Sequence, residues 1–463
     1  MIQGFPNLGE GFTAVRALIA SAGRSIHSLR ASRRFVLPFL LLALGVGCSS
    51  HHTDASAPGT PPAITEGPLN ASTVSGRPVS LSVTATGAAT LAYQWAKDGQ
   101  NLLGAIGSTF TLYQPKVEDA GNYTVTVTNP NGTITSGVAT LTVLAAVEFT
   151  SPVGLVYDAS GNLFVADRDD HTIWKVDATN QKTLVAGSSG LPGAVDGQGS
   201  SARFDAPGGL ALDPAGNLVV ADTGNHTIRR IAPDGTVTTL AGAPGVPGAV
   251  DGVGTQARFN APYGLAVDGT GGTYIADSQN HTIRYLAADG TVSTYAGLAG
   301  TPGLVDGTGT SAQFNQPNGI ALAPNGTLYV ADYGNSCIRA IAQGANVTRL
   351  AGQANAHGFA DGSALSALFN LPVGITLDAA GVLWITDTRN HAIRRLGADG
   401  TVSTPAGSGG NVGNADGTGT AALFRLPCGI VTAPSGNLVV ADTGNHLLRT
   451  VTPAGVASTF TTP

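Results

Sequence analysis

Short apolar runs separated by turn residues fill the last two thirds of this chain. Runs of β-branched and aliphatic residues, such as 218–221 and 236–240, alternate with segments rich in Gly, Pro, Asn and Asp. These are the signals of short strands joined by tight hairpins. No segment keeps a helical period of apolar positions. The pattern therefore predicts an all-β chain.

The strand pattern repeats at a constant interval of 55 residues. One proline marks each copy: Pro152, Pro207, Pro262, Pro317, Pro372 and Pro427. Each copy holds four predicted strands, and a fixed period of this length indicates a repeat architecture. We predict a six-bladed β-propeller of four-stranded blades over residues 149–463. Because blade six supplies its own four strands, we expect the ring to close by side-chain packing, without strand exchange.

The turn after the second strand has the most regular sequence of the repeat. It reads Asp222-x-x-Asn225-His226 in copy two and Asn445-His446-Leu447 in copy six. The corresponding pairs elsewhere are Asp170-His171, Asn280-His281, Asn335-Ser336 and Asn390-His391. This text resembles the NHL repeat, named for Asn-His-Leu. The resemblance implies a propeller, in a family that includes ligand-binding scaffolds and metal-dependent lyases.

A different module precedes the propeller, at residues 63–144. It looks like an immunoglobulin-like sandwich, with Trp95 at the position of that family's core tryptophan and Tyr123 at its tyrosine corner. Val83 and Val125 replace the two cysteines of the family's inter-sheet disulfide. We expect both valines to pack against Trp95, so that Trp95 and Tyr123 are structural core residues.

The start of the chain predicts export. Arginines at 30, 33 and 34 precede an apolar run at 35–44 that is too short for a permanent membrane helix. Cys48 follows small residues and resembles the lipidated cysteine of a bacterial lipobox. Residues 1–47 are read as a signal peptide and 48–62 as a flexible tether. The expected location is extracytoplasmic and lipid-anchored, at a bacterial outer membrane or cell surface; cleavage and release is the alternative.

The formal charge of the chain limits the classes of partner that are expected. The first 47 residues hold five of the 23 basic and one of the 29 acidic residues, so the rest has a formal charge of −10. This balance argues against nucleic acid and anionic lipid as partners. Protein or carbohydrate is expected instead, with membrane contact only through the lipid anchor.

Repeated polar residues are interpreted as structural. The aspartates that open the turn are Asp167, Asp222, Asp277, Asp332, Asp387 and Asp442. We expect these aspartates and the asparagines that follow them to hydrogen-bond turn amides. The histidines of the same turns occur once per blade, so rotation keeps them too far apart for a metal site. A second series, represented by Asp196, is expected to cap its own turn. The Phe204 series is expected to fill gaps between blades, and the Arg229 series to pair with acidic residues.

Unrepeated residues are the better candidates for binding. The slot after each marker proline varies and includes Tyr263, Asn318 and Cys428; His357 and Tyr333 also depart from their copies. Long connections such as 242–261 are predicted to lie on one face, around the channel mouth. There Tyr263, Asn318, Tyr333 and His357 would form a pocket, because blades three and four are neighbours, and Cys428 is a further candidate lining residue. Ordinary drift at tolerant positions is the alternative.

The sequence favours a surface-anchored binding or scaffold protein whose long-loop face engages protein or glycan. An extracytoplasmic lyase or hydrolase with a divalent metal in the channel is the alternative, and a purely structural envelope component is a third. No catalytic residue, metal ligand or cofactor is assigned, although a divalent cation in the channel stays open. No nucleophile–base arrangement or cofactor motif is recognisable.

Overall fold

A computed structural model describes residues 59–88, 90–144 and 147–460. The predicted signal peptide, Cys48 and most of the tether lie outside these ranges. Within them, no helix has both the length and the apolar character needed to span a bilayer. The chain is all-β, an immunoglobulin-like sandwich followed by a six-bladed propeller.

The sandwich comprises ten short strands and one 3₁₀ turn at Val117–Asp119. The strands are β1 Ala63–Glu66, β2 Ala71–Val74, β3 Val79–Ser82, β4 Thr84–Thr86, β5 Ala92–Lys97, β6 Gln100–Asn101, β7 Thr109–Leu112, β8 Gly121–Asn129, β9 Gly132–Thr135 and β10 Ala139–Leu144. The largest sheet has the order β2-β10-β8-β5-β6, with β9 beside β8.

The core of the sandwich forms around Trp95. Its indole N–H donates to the Gly107 carbonyl at 2.9 Å, and the side chain is fully buried. The Tyr123 hydroxyl donates to the Asp119 carbonyl at 2.7 Å, which is the hydrogen bond of a tyrosine corner. Val83 and Val125 are buried in the same cluster, in place of a disulfide.

Each propeller blade is an antiparallel meander running from the axis outward. Blade one contains β11 Pro152–Tyr157, β12 Leu163–Asp167, β13 Thr172–Val176 and β14 Lys182–Gly187; blade two, β15 Gly197–Gln198, β16 Pro207–Leu212, β17 Leu218–Asp222, β18 Thr227–Ile231 and β19 Thr236–Ala241; blade three, β20 Gly252–Val253, β21 Pro262–Val267, β22 Thr273–Asp277, β23 Thr282–Leu286 and β24 Thr291–Ala296.

The second half of the ring repeats the arrangement. Blade four contains β25 Gly307–Thr308, β26 Pro317–Leu322, β27 Leu328–Asp332, β28 Cys337–Ala342 and β29 Asn346–Ala351; blade five, β30 Gly362–Ser363, β31 Pro372–Leu377, β32 Leu383–Asp387, β33 Ala392–Leu396 and β34 Thr401–Gly407; blade six, β35 Gly417–Thr418, β36 Pro427–Thr432, β37 Leu438–Asp442, β38 Leu447–Val451 and β39 Val456–Thr459. Short 3₁₀ turns follow the second strand of blades two to six: Thr223–Asn225, Ser278–Asn280, Tyr333–Asn335, Thr388–Asn390 and Thr443–Asn445. Three more lie in connections, at Gly199–Ser201, Gly254–Gln256 and Gly309–Ser311.

The long connections differ from the prediction. In blades two to six, the connection that precedes the blade adds a fifth, two-residue strand to its outer edge, as Gly197–Gln198 does beside β19. The connection then reaches the far end of the blade, where the Gly199 N–H donates to the Gly235 carbonyl at 3.0 Å. These loops therefore cover the outer edges instead of crowning one face. The reason is that an outer strand otherwise leaves its backbone groups unpaired.

The glycine two residues after each marker proline explains how closely the blades meet. A Cβ built on Gly264 would lie 2.1 Å from the Asn318 carbonyl oxygen of the next blade. The same contact recurs around the ring at 1.8–2.4 Å, for Gly154, Gly209, Gly264, Gly319, Gly374 and Gly429. Neighbouring inner strands thus touch backbone to backbone, and any side chain there would collide with a carbonyl.

The ring closes as predicted, by packing between blades six and one. Phe149, before β11, lies in one apolar cluster with Leu448 and Phe460 of blade six. The inner strands β11 and β36 are in contact, and the described residues of each of these two sheets come from one blade and its preceding connection. Gly429 makes the same contact at this seam, against the Val153 carbonyl, as its counterparts make elsewhere.

The sandwich contacts the outer edge of blade six. The Arg77 guanidinium donates to the Asn414 carbonyl, and its Nη2 lies 3.8 Å from Asp416 Oδ1. Ser72, Val74 and Thr459 line a small cavity beside this contact.

Candidate functional site

In each blade the turn that follows the second strand of the four-stranded meander (β17 in blade two) is held by its opening aspartate. Asp222 is fully buried and accepts hydrogen bonds from the Asp205 N–H at 2.8 Å and from Asn225 Nδ2 at 2.8 Å. Asn225 also donates to the Gly193 carbonyl of the preceding connection. Burial raises the pKa of Asp222 to about 6, against the opposing effects of Asn225, the Asp205 N–H and Arg229. The hydrogen bonds of these side chains hold the turn and the preceding connection in place.

A buried arginine joins the connection to its blade. Arg229 is fully buried; its Nη1 lies 2.7 Å from Asp222 Oδ2, and its Nη2 lies 2.6 Å from Asp196 Oδ1. It also donates to the carbonyls of Val195 and Arg203, and its Cζ lies 5.2 Å from the Phe204 ring centroid. The expectation that Asp196 caps its own turn was wrong, because this carboxylate accepts hydrogen bonds from Arg229 and Thr239. We call this unit, Asp196–Arg229–Asp222 and its counterparts in blades three to six, the arginine clasp.

Most turn histidines link one blade to the next. His226 Nδ1 accepts the N–H of Ala261 at 3.0 Å, and His171, His281 and His391 make the corresponding contact. Nδ1 must therefore be unprotonated, and burial lowers the pKa of His226, His281 and His391. These histidines have left-handed backbone conformations, with φ near 54–59°.

His357 belongs to this structural set, contrary to its prediction as a pocket residue. Blade four has Ser336 where the other blades have histidine, and the Ser336 hydroxyl accepts the Leu371 N–H at 3.0 Å. His357 Nδ1 lies 2.6 Å from the same hydroxyl. Serine is shorter than histidine, so the chain completes this turn with a side chain from the connection.

The other predicted residues come together at the axis. Cys428 is buried in one apolar cluster with Val153 and Val373, against which Tyr263 and Tyr333 pack. These five residues come from five different blades, so the cluster spans the channel. The Tyr263 ring also covers Gly208, whose built Cβ would lie 3.1 Å from it. Asn318 is 3% exposed, and Ser278 Oγ lies 3.4 Å from its side-chain oxygen.

A second slot at this end of the axis explains why Tyr333 is unusual. In four blades the first turn residue is Thr or Ser, and its hydroxyl donates to the marker proline carbonyl of the next blade. The pairs are Thr223–Pro262, Ser278–Pro317, Thr388–Pro427 and Thr443–Pro152. Arg168 in blade one and Tyr333 in blade four replace that short hydroxyl. Blades one and four are opposite in a ring of six, so these two residues lie on opposite sides of the axis.

Two arginines at this site were missed by the sequence analysis. Arg168 Nε donates to Asp169 Oδ1 at 2.9 Å, and Arg389 is exposed in the turn of blade five. Arg389 follows Thr388, whose hydroxyl donates to the Pro427 carbonyl at 2.7 Å, so its turn adjoins Cys428. The positive charges of Arg168 and Arg389 oppose the effect of burial on the pKa of the Cys428 thiol. Both break the Thr/Ser-Gly pattern of their turn, the same signal that identified Tyr333. We call Arg168, Tyr263, Asn318, Tyr333, Arg389 and Cys428 the axial mouth.

The axial mouth offers hydrogen bonds, positive charge and aromatic surface. Burial raises the pKa values of Tyr263 and Tyr333, and it raises the pKa of Cys428, so all three are protonated at neutral pH. Among the described residues, no group of three or more His, Cys, Asp and Glu side chains is placed to hold a metal ion. The arrangement is suited to recognising a polar ligand.

Family models match both parts of the chain. The immunoglobulin domain model matches residues 61–129. The NHL repeat model matches residues 149–176, 204–231, 314–341 and 369–396. The structure extends the same blade to the copies between and after these matches.

Two curated proteins share the repeat region. Protein SUPPRESSOR OF QUENCHING 1, chloroplastic, of Arabidopsis thaliana is 32% identical over 323 residues, covering 66% of this chain and 30% of that protein. Human NHL repeat-containing protein 2 is 30% identical over 332 residues, covering 64% of this chain and 45% of that protein. The chain thus spans less than half the length of either relative.

A solved structure shares the fold. An auxiliary nutrient binding protein from Bacteroides thetaiotaomicron superimposes with a TM-score of 0.52 at 15% identity, covering 88% of this chain and 99% of that one.

Proposed function

Because this chain carries NHL repeats, folded as a six-bladed propeller behind an immunoglobulin-like domain, we propose that it is an extracytoplasmic binding protein. Its ligand, a protein or glycan segment, enters the axial mouth. The proposal rests on one observation: the repeat is broken at the axis, and the residues that break it converge there. The repeated polar residues are engaged in turns and clasps, so they have little left to offer a ligand.

The chemistry of the mouth supports recognition. The Tyr263 and Tyr333 hydroxyls make no hydrogen bond within the described residues, although both side chains are partly buried. Pockets that bind small ligands combine such apolar walls with a few polar groups that set orientation. The fold shared with an auxiliary nutrient binding protein supports the architecture in which the axial mouth forms.

The test is ligand capture by purified full-length protein on glycan and peptide arrays. Tyr263→Ala and Tyr333→Ala should each abolish the strongest signals, since each removes an aromatic wall and a hydroxyl. Tyr113→Ala is the matched control, because Tyr113 is 75% exposed on the sandwich. If the axial variants capture the same ligands as the wild type, the mouth is not the binding site.

We also propose a lipid anchor at Cys48, on the sequence resemblance alone. Cys48→Ala should shift the protein from the membrane fraction to the soluble extracytoplasmic fraction and abolish fatty-acid labelling. An unchanged membrane fraction with no fatty-acid label on the wild type would exclude the anchor.

The enzyme alternative predicts a bound divalent cation. Metal analysis of the purified protein distinguishes the two functions. A stoichiometric cation removed by axial substitutions would favour the lyase or hydrolase; a metal-free protein that still captures its ligand would favour binding.

A further inference from the structure

The two arginines of the axial mouth make it positively charged within an acidic protein. Arg168 is already paired: its Nε and Nη2 donate to the two carboxylate oxygens of Asp169 at 2.9 and 3.3 Å. Its Nη2 also donates to Ser151 Oγ at 3.1 Å. These contacts fix the Arg168 guanidinium, whose side chain is 23% exposed, beside the axis.

Arg389 has no such partner. Its backbone N–H donates to the Asn370 carbonyl at 3.1 Å, which holds the turn in place. Its side chain makes no hydrogen bond or ion pair within the described residues and is exposed. The preceding residue, Thr388, donates its hydroxyl to the Pro427 carbonyl at 2.7 Å, so the turn that carries Arg389 adjoins Cys428. In keeping with this position, the charge of Arg389 opposes the effect of burial on the pKa values of Tyr333 and Cys428. The mouth therefore contains one paired and one unpaired cation around the same residues.

The axial mouth also contains hydrogen-bond donors. The Tyr263 and Tyr333 hydroxyls have no partner within the described residues. Asn318 is 3% exposed, and the described residues provide its amide nitrogen with no acceptor. Such a set of donors beside a guanidinium fits an oxyanion, since arginine binds carboxylates through two parallel hydrogen bonds.

We propose that the axial mouth binds the carboxylate of its ligand, with Arg389 as its charge partner and Tyr263 and Tyr333 as hydrogen-bond donors. The inference rests on the proposed function and specifies the ligand's chemistry. Because Asp169 already pairs with Arg168, Arg389 is the cation of the axial mouth that is free to pair with a carboxylate. The carboxylate can come from a uronic acid or from the end of an amino acid or peptide.

Two pairs of probes test this with the full-length protein. D-Glucuronate and D-glucose differ in the carboxylate of a sugar; N-acetylglycine and N-acetylglycinamide differ in the carboxylate of an amino acid. By titration calorimetry, at least one carboxylate should bind about tenfold or more tightly than its neutral partner. The pair that shows the difference identifies the source.

Arg389→Gln should remove that preference, and leave any affinity for the neutral partner unchanged. Arg230→Gln is the matched control, because Arg230 is an exposed arginine in β18 of blade two, away from the axis. It should leave the preference intact. Circular dichroism verifies that both variants are folded.

Three results would overturn the inference. One is equal affinity within each pair; another is an unchanged preference in Arg389→Gln; the third is no binding of either carboxylate by the wild type. In each case, the proposed function would still hold if the Tyr263→Ala variant fails to capture array ligands that the wild type captures. The ligand would then be a neutral one. Loss of both the probe preference and the array dependence would reject both proposals.

Discussion

Blade one differs from the five blades that follow it, and the difference shows what the buried arginine does. Blades two to six each have an arginine clasp, an edge strand and a preceding connection. Blade one has four strands, and Trp174 occupies the arginine position. Asp167 there is bonded by the N–H groups of Thr150 and Ser151, with no arginine.

The missing elements of blade one belong together. Only the described segment from residue 147 precedes its first strand within the propeller, so there is no connection for an arginine to bind. Lys182 lies 4.1 Å from the Trp174 ring centroid and 4.2 Å from that of Phe149, and this stack holds the segment that closes the ring. At the same seam His446 donates to the Thr150 carbonyl, the reverse of the other histidine contacts. The clasp therefore attaches connections, and it is not a requirement of the blade itself.

Removing one clasp should have the largest effect. Arg284→Leu leaves Asp277 buried without its cation and releases Asp251 of the connection. Loss of one partner of a buried pair costs about 3–5 kcal/mol, so the free energy of unfolding in urea should fall by that amount. Proteolysis should also become faster at 243–251. Arg230→Gln, on the surface, should cost about 0.5 kcal/mol or less; equal losses would refute the clasp.

The glycine ring tests whether the seam is packed like the other blade contacts. Gly429→Ala places a methyl group 1.8 Å from the Val153 carbonyl, and Gly264→Ala places one 2.1 Å from that of Asn318. Both should lower stability by about 1–3 kcal/mol, the usual cost of overpacking. Gly269→Ala has open space and should be nearly neutral. If Gly429→Ala is as mild as Gly269→Ala, the seam is looser than the other contacts.

The turn aspartates should respond differently in the two kinds of blade. Asp277→Asn removes a charge partner of Arg284, whereas Asp167→Asn removes only an acceptor for a backbone N–H. We expect Asp277→Asn to be more destabilising by about 1–2 kcal/mol in paired denaturation curves. Equal costs would mean that the arginine contributes little at the turn.

The smallest effect concerns the histidine links. His281→Asn keeps a residue that tolerates positive φ but shortens the acceptor, so it should cost about 1 kcal/mol at pH 7.5. Burial lowers the pKa of His281 below its usual 6.5, so the folded state takes up a proton later than the unfolded chain. The contribution of His281 to the free energy of unfolding of the wild type therefore decreases as the pH falls below 6.5. The difference between variant and wild type should narrow by pH 5.5; a constant difference would contradict the assigned contact.

Sequence patterns identified the mouth only in part. Tyr263, Asn318, Tyr333 and Cys428 stood out because they break a repeat. Arg389 and Arg168 break it in the same way as Tyr333, but they were missed because a charged residue in an exposed turn is common. His357 also broke the repeat, yet it compensates for Ser336, a contact between two segments that the linear sequence does not pair.

The sequence by itself determined the number of blades, the four main strands of each blade and the seam, because the 55-residue unit recurs six times with a full set of four predicted strands in each copy. It also determined the sandwich core, through Trp95 and Tyr123. Only the tertiary structure decided where the connections run and which side chains meet. An outer edge must be covered, and Asp196 pairs with Arg229 through that covering. Residues from blades one, three, four, five and six meet because the axis is the one place where all blades are close.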